Sequence, residues 1–590
     1  MPLLQPITTD SSEDSDSSSR SPRPSFHNTR TRESHYSIQS YGEDAVPIPE
    51  HVAPIELEKT PTAGSTSSRF NQRAQSVVSR IRSREPGQVA KFTHPLSHTK
   101  TGPDVLVDFD GVDDPYHPKN WGFRKKCITT VLYGLTTMGA TLASAIYTPG
   151  TAQISAEFNV GTEVSLLGLT LLLLGFGFGP LLWAPLSELY GRKAAVMTPY
   201  FIAGIFAFGT ATAKDIQTVL ITRFFTGFFG SAPVTNTGGV LGDIWSPQQR
   251  GAAIVGYAMA VVGGPTLGPI IGGAISQSYL GWRWTQYVSI PVLTRSQVLV
   301  GMLTLAQITG IYMMFILTLD IIFLDESYPP VLLVYKAQRL RHETGNWALH
   351  AKHEEWDVSI NEMANKYLIR PFALLGTPIC FAVALYASFV YGILYLNLAA
   401  FPIEFIGERG WGQVVGELPF LSMLVGIMMG AGVNLLNQRF YISRFKKNNN
   451  RPVPEARLPP MMIGSVVFAA GLFIFAWTSD KSIHWIGPVI GAACMGLGFF
   501  TIFQAAINYL VDTFPLTAAS AIAANTCLRS VFAAAFPLFT DAMYNNLGID
   551  WAASTLGFIS VALIPIPFLF YVFGKRLRAR GKWSRASVYE

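Results

Sequence analysis

The stretch Glu163-Val-Ser-Leu-Leu-Gly-Leu-Thr-Leu-Leu-Leu-Leu-Gly-Phe-Gly-Phe-Gly-Pro-Leu-Leu-Trp-Ala-Pro-Leu-Ser-Glu-Leu-Tyr-Gly-Arg-Lys193 decides the fold class. No charged side chain stands between Glu163 and Glu188. A helix rising about 1.5 Å per residue needs about twenty such residues to cross a hydrocarbon layer of about 30 Å. In lipid the backbone must satisfy its own N–H and C=O groups, so the run is a helix. Gly191 permits a tight turn. Arg192 and Lys193 then open a second apolar run at the membrane face, where water can solvate them. The stretch reads as crossing, turn, crossing.

The same reading extends along the chain. Apolar blocks at 127–149, 163–184, 194–213, 217–240, 251–275, 308–325, 376–399, 415–436, 460–478, 485–509, 518–540 and 551–573 predict twelve membrane helices. Composition agrees: of 590 residues, 49% are hydrophobic and 14% charged, against roughly 25% charged in soluble domains. The longest polar interval within this region, 326–372, separates two six-helix bundles, 121–325 and 373–575. The expected fold class is therefore an all-α membrane protein of two six-helix bundles facing each other across a central cavity.

Charge sets the orientation. Basic residues collect after even-numbered spans, as Arg192 and Lys193, Arg250, the linker set from Lys336 to Arg370, and the set from Arg439 to Arg457. More follow the last span, from Lys575 to Arg585, making 576–590 a cytoplasmic tail. Loops after odd-numbered spans carry little charge, so both termini are expected in the cytoplasm. The net charge of +6 follows from this bias and does not call for nucleic acid. Residues 1–120 are expected to be a disordered cytoplasmic tail. They are rich in Ser, Pro and Arg, with a Ser/acidic cluster at 11–19 that is a candidate for phosphorylation. Cys127, Cys380, Cys494 and Cys527 lie in or beside apolar blocks and read as ordinary buried thiols.

Several polar or kink-forming positions inside the spans carry mechanistic information. Arg223 lies within the fourth span, where a guanidinium faces the bundle interior or a water-filled cavity, with snorkelling to the interface about two turns away as the alternative. The fifth span contains Gly263-Gly-Pro-Thr-Leu-Gly-Pro-Ile-Ile-Gly-Gly273. Its glycines allow close helix approach, and its prolines remove backbone donors. Asp320 is the clear carboxylate inside a span, near the cytoplasmic end and so with a route to water, and Glu417 lies near the outer end of the eighth. Tyr391, Tyr395, Gln504, Asn508, Asn525 and Arg529 are candidates for lining a substrate cavity in the second half, with helix–helix pairing as the alternative for each.

These segments resemble the major facilitator superfamily. Ala184–Lys193 is similar to its loop signature G-x-L-A-D-R-x-G-R-[RK], with Ala184 for the first Gly, Glu188 for the Asp and Leu189 for the first Arg. The resemblance implies a cytoplasmic gate formed by Glu188, Gly191, Arg192 and Lys193, with Asp243 as partner of Arg192. Arg223-Phe-Phe-Thr-Gly227 resembles the R-x-x-x-G signature tied to proton coupling, a role that would fall to Arg223, while the residues themselves leave Asp320 or Glu417 to carry the proton. Gly264, Pro265, Gly268, Pro269, Gly272 and Gly273 resemble the G-x-x-x-G-P-x-x-G-G signature of antiporters, which implies export. Asp114–Trp121, Ala145–Gly150, Asp325–Pro330 and Asn525–Ser530 resemble fungal members of the twelve-span drug:proton antiporter family.

The resemblance implies a proton-coupled exporter of small amphipathic molecules, such as drugs, toxins or secondary metabolites, working by alternating access. Its partners would be a small-molecule substrate, protons and the lipid bilayer, with no nucleic acid. It would be a monomer of the plasma membrane. Export of polyamines or other small cations, and a non-transporting membrane sensor, are the alternatives. The sequence offers no nucleophile–base constellation, metal-ligand cluster or P-loop, so neither an enzyme nor a cofactor or metal is expected.

One segment departs from the resembled family. There, the box Trp282-Arg-Trp-Thr-Gln-Tyr287 runs almost directly into the helix starting Ile308-Thr-Gly-Ile, whereas here Val288–Gln307 intervene. Val288-Ser289 can be encoded by a donor consensus, Leu303-Thr304 by a branch-point consensus and Gln307 by an acceptor consensus. The twenty residues preserve the frame and read as a translated intron, a true insertion being the alternative.

Overall fold

The computed structural model describes residues 106–111, 113–277, 308–355, 364–449, 451–515, 517–581 and 583–587, all within the compact unit Phe92–Glu590. The Ser/acidic cluster at 11–19 and the Val288–Gln307 segment lie outside the described residues. Twelve principal helices follow in order: α1 Phe123–Ala145, α2 Thr162–Tyr190, α3 Arg192–Ala211, α4 Ile216–Ile244, α5 Pro247–Gln277, α6 Ile308–Phe323, α7 Pro378–Phe401, α8 Pro419–Lys447, α9 Pro459–Thr478, α10 Ile486–Thr513, α11 Ala518–Leu563 and α12 Pro565–Arg580. Prolines at the first helical turn start α7, α8, α9 and α12, where the missing N–H has no partner to lose. Asp215 caps α4 by accepting the Thr218 N–H at 2.7 Å.

Nine stretches among the described residues are long and apolar enough to cross a membrane. One, Ala518–Arg580, has 63 residues, about 95 Å of helix and enough for two crossings. It breaks at Gly548, whose φ of 77° and ψ of 161° are non-helical. The two remaining crossings are α4, whose apolar character is diluted by Arg223, Asn236 and Asp243, and the 16-residue α6. The twelve expected spans are thus accounted for, with the eleventh and twelfth joined by a single non-helical residue rather than by the expected ten-residue loop.

The packing repeats. The pairs α1–α5, α2–α4 and α3–α4 of the first half recur six helices later as α7–α11, α8–α10 and α9–α10. The closest pairs meet backbone to backbone. A methyl on Gly175 of α2 would stand 2.5 Å from the Phe224 carbonyl of α4, and one on Gly430 of α8 would stand 2.9 Å from the Leu497 carbonyl of α10. The halves meet along α2–α11 and α5–α8. At the first seam a methyl on Gly177 would stand 3.0 Å from Ser530 Cβ, and Thr170 donates to the Ala534 carbonyl at 3.0 Å.

Two boundaries are corrected. Residues 106–111 and 113–120 do not belong to a disordered tail. Leu106 bridges His350 in parallel, and Val107 packs with Ala337 and Ala351. Lys336 pairs with Asp110 at 2.9 Å and with buried Asp114 at 3.1 Å. Burying Val107 and giving Asp114 two backbone donors and a cation outweighs the polar composition that suggested disorder. The 326–372 linker is likewise more than an open loop. A helix runs over Pro329–Thr344 and ends at Gly345, and a second, Arg370–Leu375, packs on α11.

Candidate functional site

The α2–α3 junction is built around one glycine. Gly191 has a φ of 92°, the left-handed region where a Cβ is strained, and a methyl there would also overlap the Glu326 carboxylate. The turn leaves the first N–H groups of α3 without helical partners. Glu326 accepts two of them, from Arg192 at 2.8 Å and Lys193 at 3.0 Å, a favourable place for a negative charge. The Arg192 side chain reaches the other way. Its Nε lies 3.2 Å from Asp243 Oδ2, an Nη donates to Ser187 Oγ at 2.7 Å, and its guanidinium sits 4.8 Å from the Tyr328 ring. Tyr367, from the linker, donates to Glu188. The five residues expected at this gate therefore stand together, with α2, α3, α4 and the linker tied at one end of the bundle.

Arg223 is fully buried. It donates to the carbonyls of Gly168 at 3.2 Å, Ala143 at 2.8 Å and Ser144 at 3.2 Å, and stacks 4.3 Å over Tyr147. Ala143 and Ser144 lie in the last turn of α1, whose carbonyls have no intrahelical partners. A guanidinium therefore closes the C-terminal end of α1, where positive charge is favoured.

In α5, Gly264, Gly268 and Gly272 follow one another at four-residue spacing and face α1. A methyl on Gly264 would overlap Thr141, one on Gly268 would stand 2.8 Å from Ala145 Cβ, and one on Gly272 would overlap the Ile146 carbonyl. Gly273 faces the other half, where a methyl would stand 3.1 Å from Glu417 Cγ. Pro265 and Pro269 lie inside the helix between these contacts. Across the same seam, Gln413 donates to the Pro149 carbonyl at 2.8 Å, and the Ser144 and Tyr395 hydroxyls are 3.0 Å apart.

Asp320 does not reach water, as its place in the span suggested. It is 1% exposed, and Thr136 of α1 donates to its Oδ2 at 2.6 Å. Packing of α6 on α1, which also has Tyr312 donating to the Leu135 carbonyl at 2.9 Å, covers the carboxylate. Glu417 is also buried, with Oε2 unpaired.

The second-half candidates fall into a packed aromatic group with polar neighbours. Tyr391 lies 5.3 Å from Tyr395 and 5.8 Å from Phe503, ring to ring. The Arg529 guanidinium is 5.0 Å from the Tyr391 ring and 5.2 Å from that of Phe503. Asn525 is fully buried with neither amide atom hydrogen-bonded, and the Gln504 Nε2 is buried and unpaired too. Asn508, one turn beyond Gln504, is partly buried.

Sequence reasoning missed a second polar junction. Arg457 Nε is 3.0 Å from Asp512 Oδ2, Tyr441 donates to the same oxygen at 3.0 Å, and the guanidinium lies 3.3 Å from the Tyr441 ring. This joins α8, the α8–α9 connection and α10, which correspond in the repeat to α2, the α2–α3 turn and α4. The six-helix repeat was the available signal: an arginine before α9 and a carboxylate ending α10 sit where Arg192 and Asp243 sit in the first half. Glu326 was missed because its partners are backbone N–H groups, which leave no residue signature.

The family profile described as Major Facilitator Superfamily matches residues 133–537. The chain belongs to the major facilitator superfamily. Three of its curated relatives are fungal proteins. It is 51% identical to the efflux pump bik6 of Gibberella fujikuroi over 485 residues, covering 82% of this chain and 96% of that protein. It is 40% identical to the major facilitator superfamily multidrug transporter FLU1 of Candida albicans over 513 residues, covering 85% and 81%. The citrinin biosynthesis cluster MFS transporter mrr1 of Monascus ruber is 41% identical over 494 residues, covering 83% and 95%. Among solved structures the proton:xylose symporter XylE superposes with a TM-score of 0.53 over 77% of this chain and 96% of that one; at 13% identity this is a likeness of fold alone. As a superfamily member with these apolar helices, the chain is a multi-pass membrane protein.

Proposed function

We propose that this facilitator is a proton-coupled exporter of small amphipathic molecules of the drug, toxin or secondary-metabolite type. The observation that carries the reading is the α5 glycine row, seated against α1 and ending at Glu417 of the other half, in a chain 51% identical to a protein named an efflux pump. Small residues make this contact smooth, so α5 can shift against its neighbours with little loss of packing. Alternating access is then a rocking of one half on the other. The Gln413–Pro149 and Ser144–Tyr395 contacts break at one end, while the Arg192–Asp243 and Arg457–Asp512 junctions, with the Glu188–Tyr367 bond, rearrange at the other.

Proton coupling is assigned to Asp320 and Glu417, buried carboxylates that each have an unpaired oxygen and, unlike Glu404, no arginine partner among the described residues, with Arg223 holding the α1 end beside which substrate and proton would pass. Tyr391, Tyr395, Gln504, Asn508, Asn525 and Arg529 would contribute to the substrate cavity. The basic end of the bundle would face the cytoplasm, with both chain termini, in the plasma membrane, and the protein would act as a monomer. Flux of a fluorescent amphipathic dye into proteoliposomes with an imposed pH gradient tests the reading. Dye movement driven by the gradient and lost on its collapse is expected. Flux indifferent to the gradient would overturn proton coupling.

A further inference from the structure

Among the buried polar groups, Arg529 stands apart. It is 7% exposed, about three turns into α11, and among the described residues no hydrogen-bond acceptor or carboxylate pairs with it. Its contacts are the faces of Tyr391 and Phe503. A guanidinium has five donors and stays charged. No protein acceptor takes up these donors among the described residues, so an anionic guest can. One turn earlier on the same helix, Asn525 is completely buried with both amide atoms unpaired. Gln504, whose Nε2 is unpaired, belongs to the same turn of α10 as Phe503.

The group lies between the halves. Ser530, next to Arg529, meets Gly177 of α2, and Tyr395 meets Ser144 of α1. The hydroxyls of Tyr257 in α5 and Tyr395 in α7 are within electrostatic range of the guanidinium. Both groups are phenols, which are neutral donors and acceptors near neutral pH. These surroundings suit one kind of guest: an aromatic body packed beside the stacked rings of Tyr391 and Phe503, ending in an anion.

We infer that Arg529, with Asn525, Tyr391 and Phe503, forms a subsite for the carboxylate or phenolate end of an aromatic substrate, so that the protein selects amphipathic anions. This rests on the export reading only in calling the guest a substrate. The fork of the guanidinium takes a carboxylate through two parallel bonds, and the Asn525 amide supplies a donor one turn away. Stacked aromatic walls add affinity for a flat ring without adding charge.

The test uses the full chain in lipid nanodiscs and three probes: pyrenebutyrate, its methyl ester and pyrenebutylamine. Binding is read as energy transfer from tryptophan to pyrene, corrected for partition into protein-free discs. Wild type is expected to bind the acid at least tenfold more tightly than the ester or the amine, or about 1.4 kcal/mol. Arg529→Met should bring acid and ester within twofold of each other, Arg529→Lys should retain part of the preference, and Asn525→Leu should reduce it about threefold. Equal binding of acid and ester by wild type overturns the inference, as does a preference for the acid that survives in Arg529→Met. If Arg529→Met does not yield folded protein, the wild-type ratio and Asn525→Leu decide. Because binding is read without a gradient, loss of coupled transport leaves the result intact. Gradient-driven uptake of the amine with no preference for the acid would overturn this inference alone.

Discussion

Arg223 in α4 and Arg529 in α11 are both buried in the membrane-spanning region, one in each half, and their surroundings are opposite. Arg223 has every side of its guanidinium engaged, by three carbonyls from α1 and α2 and by the Tyr147 ring. Arg529 has aromatic faces and no acceptor among the described residues. Burial alone does not distinguish a structural cation from a ligand-binding one, because both are costly to remove from water. The number of acceptors already committed does. Arg223 completes the end of a helix, whereas Arg529 holds its donors in reserve.

The contrast breaks most readily in stability. Arg223→Met should strand three buried carbonyls and destabilise the protein by about 3–5 kcal/mol, the range for removing one side of a buried charged contact. Arg529→Met should leave the melting temperature unchanged or raise it, since it removes no protein hydrogen bond and replaces a costly charge in the span by an apolar side chain. Thermal unfolding of the purified protein, followed by tryptophan fluorescence, checks both. If the two variants lose stability equally, the distinction is wrong.

A smaller effect sharpens the same question of filled against open surroundings. Gly268→Ala places a methyl 2.8 Å from Ala145 Cβ and should cost about 1–3 kcal/mol. Gly263→Ala, which meets nothing within 4 Å, should be neutral or slightly stabilising. The difference in melting temperature between the two variants reads this directly. Gly191→Ala should cost at least about 1–2 kcal/mol through its left-handed backbone alone. It should also loosen the Glu326 contacts, visible as faster amide exchange at Arg192 and Lys193.

The smallest effect expected is at Val288–Gln307. If the segment is a translated intron, spliced transcripts lack its sixty nucleotides, and the shortened chain should equal or exceed the long one in yield of folded protein. Amplification across the segment from mature RNA settles it, and transcripts that uniformly retain the segment would overturn the intron reading.

The crossings were legible because twenty apolar residues in a row admit little besides a membrane helix, and the Arg192–Asp243 pair was legible because a resembled motif carried it. The folding of 106–111 and 113–120 was not. Its stability comes from Val107 and Asp114 meeting Ala337 and Lys336, more than two hundred residues away, which no local pattern encodes. The closing of the α1 end by Arg223 was hidden for a similar reason, since its acceptors are backbone carbonyls that look alike in every sequence. Asp320 was misjudged because distance along a span says nothing about which neighbouring helix covers a side chain. Arg529 was found as one of six polar positions, but only the structure shows that it is a cation set against the Tyr391 and Phe503 rings beside the unpaired amide of Asn525.

Gly177 gives the α2–α11 seam a further meaning. It leaves room for Ser530, the residue beside Arg529, and it belongs to the opposite half. A lineage could therefore retune which compounds it expels by changing the size of one residue that never meets them. An alanine or serine at 177 would press on the turn of α11 that carries the guanidinium and alter its aim, while every residue in contact with the cargo stayed the same.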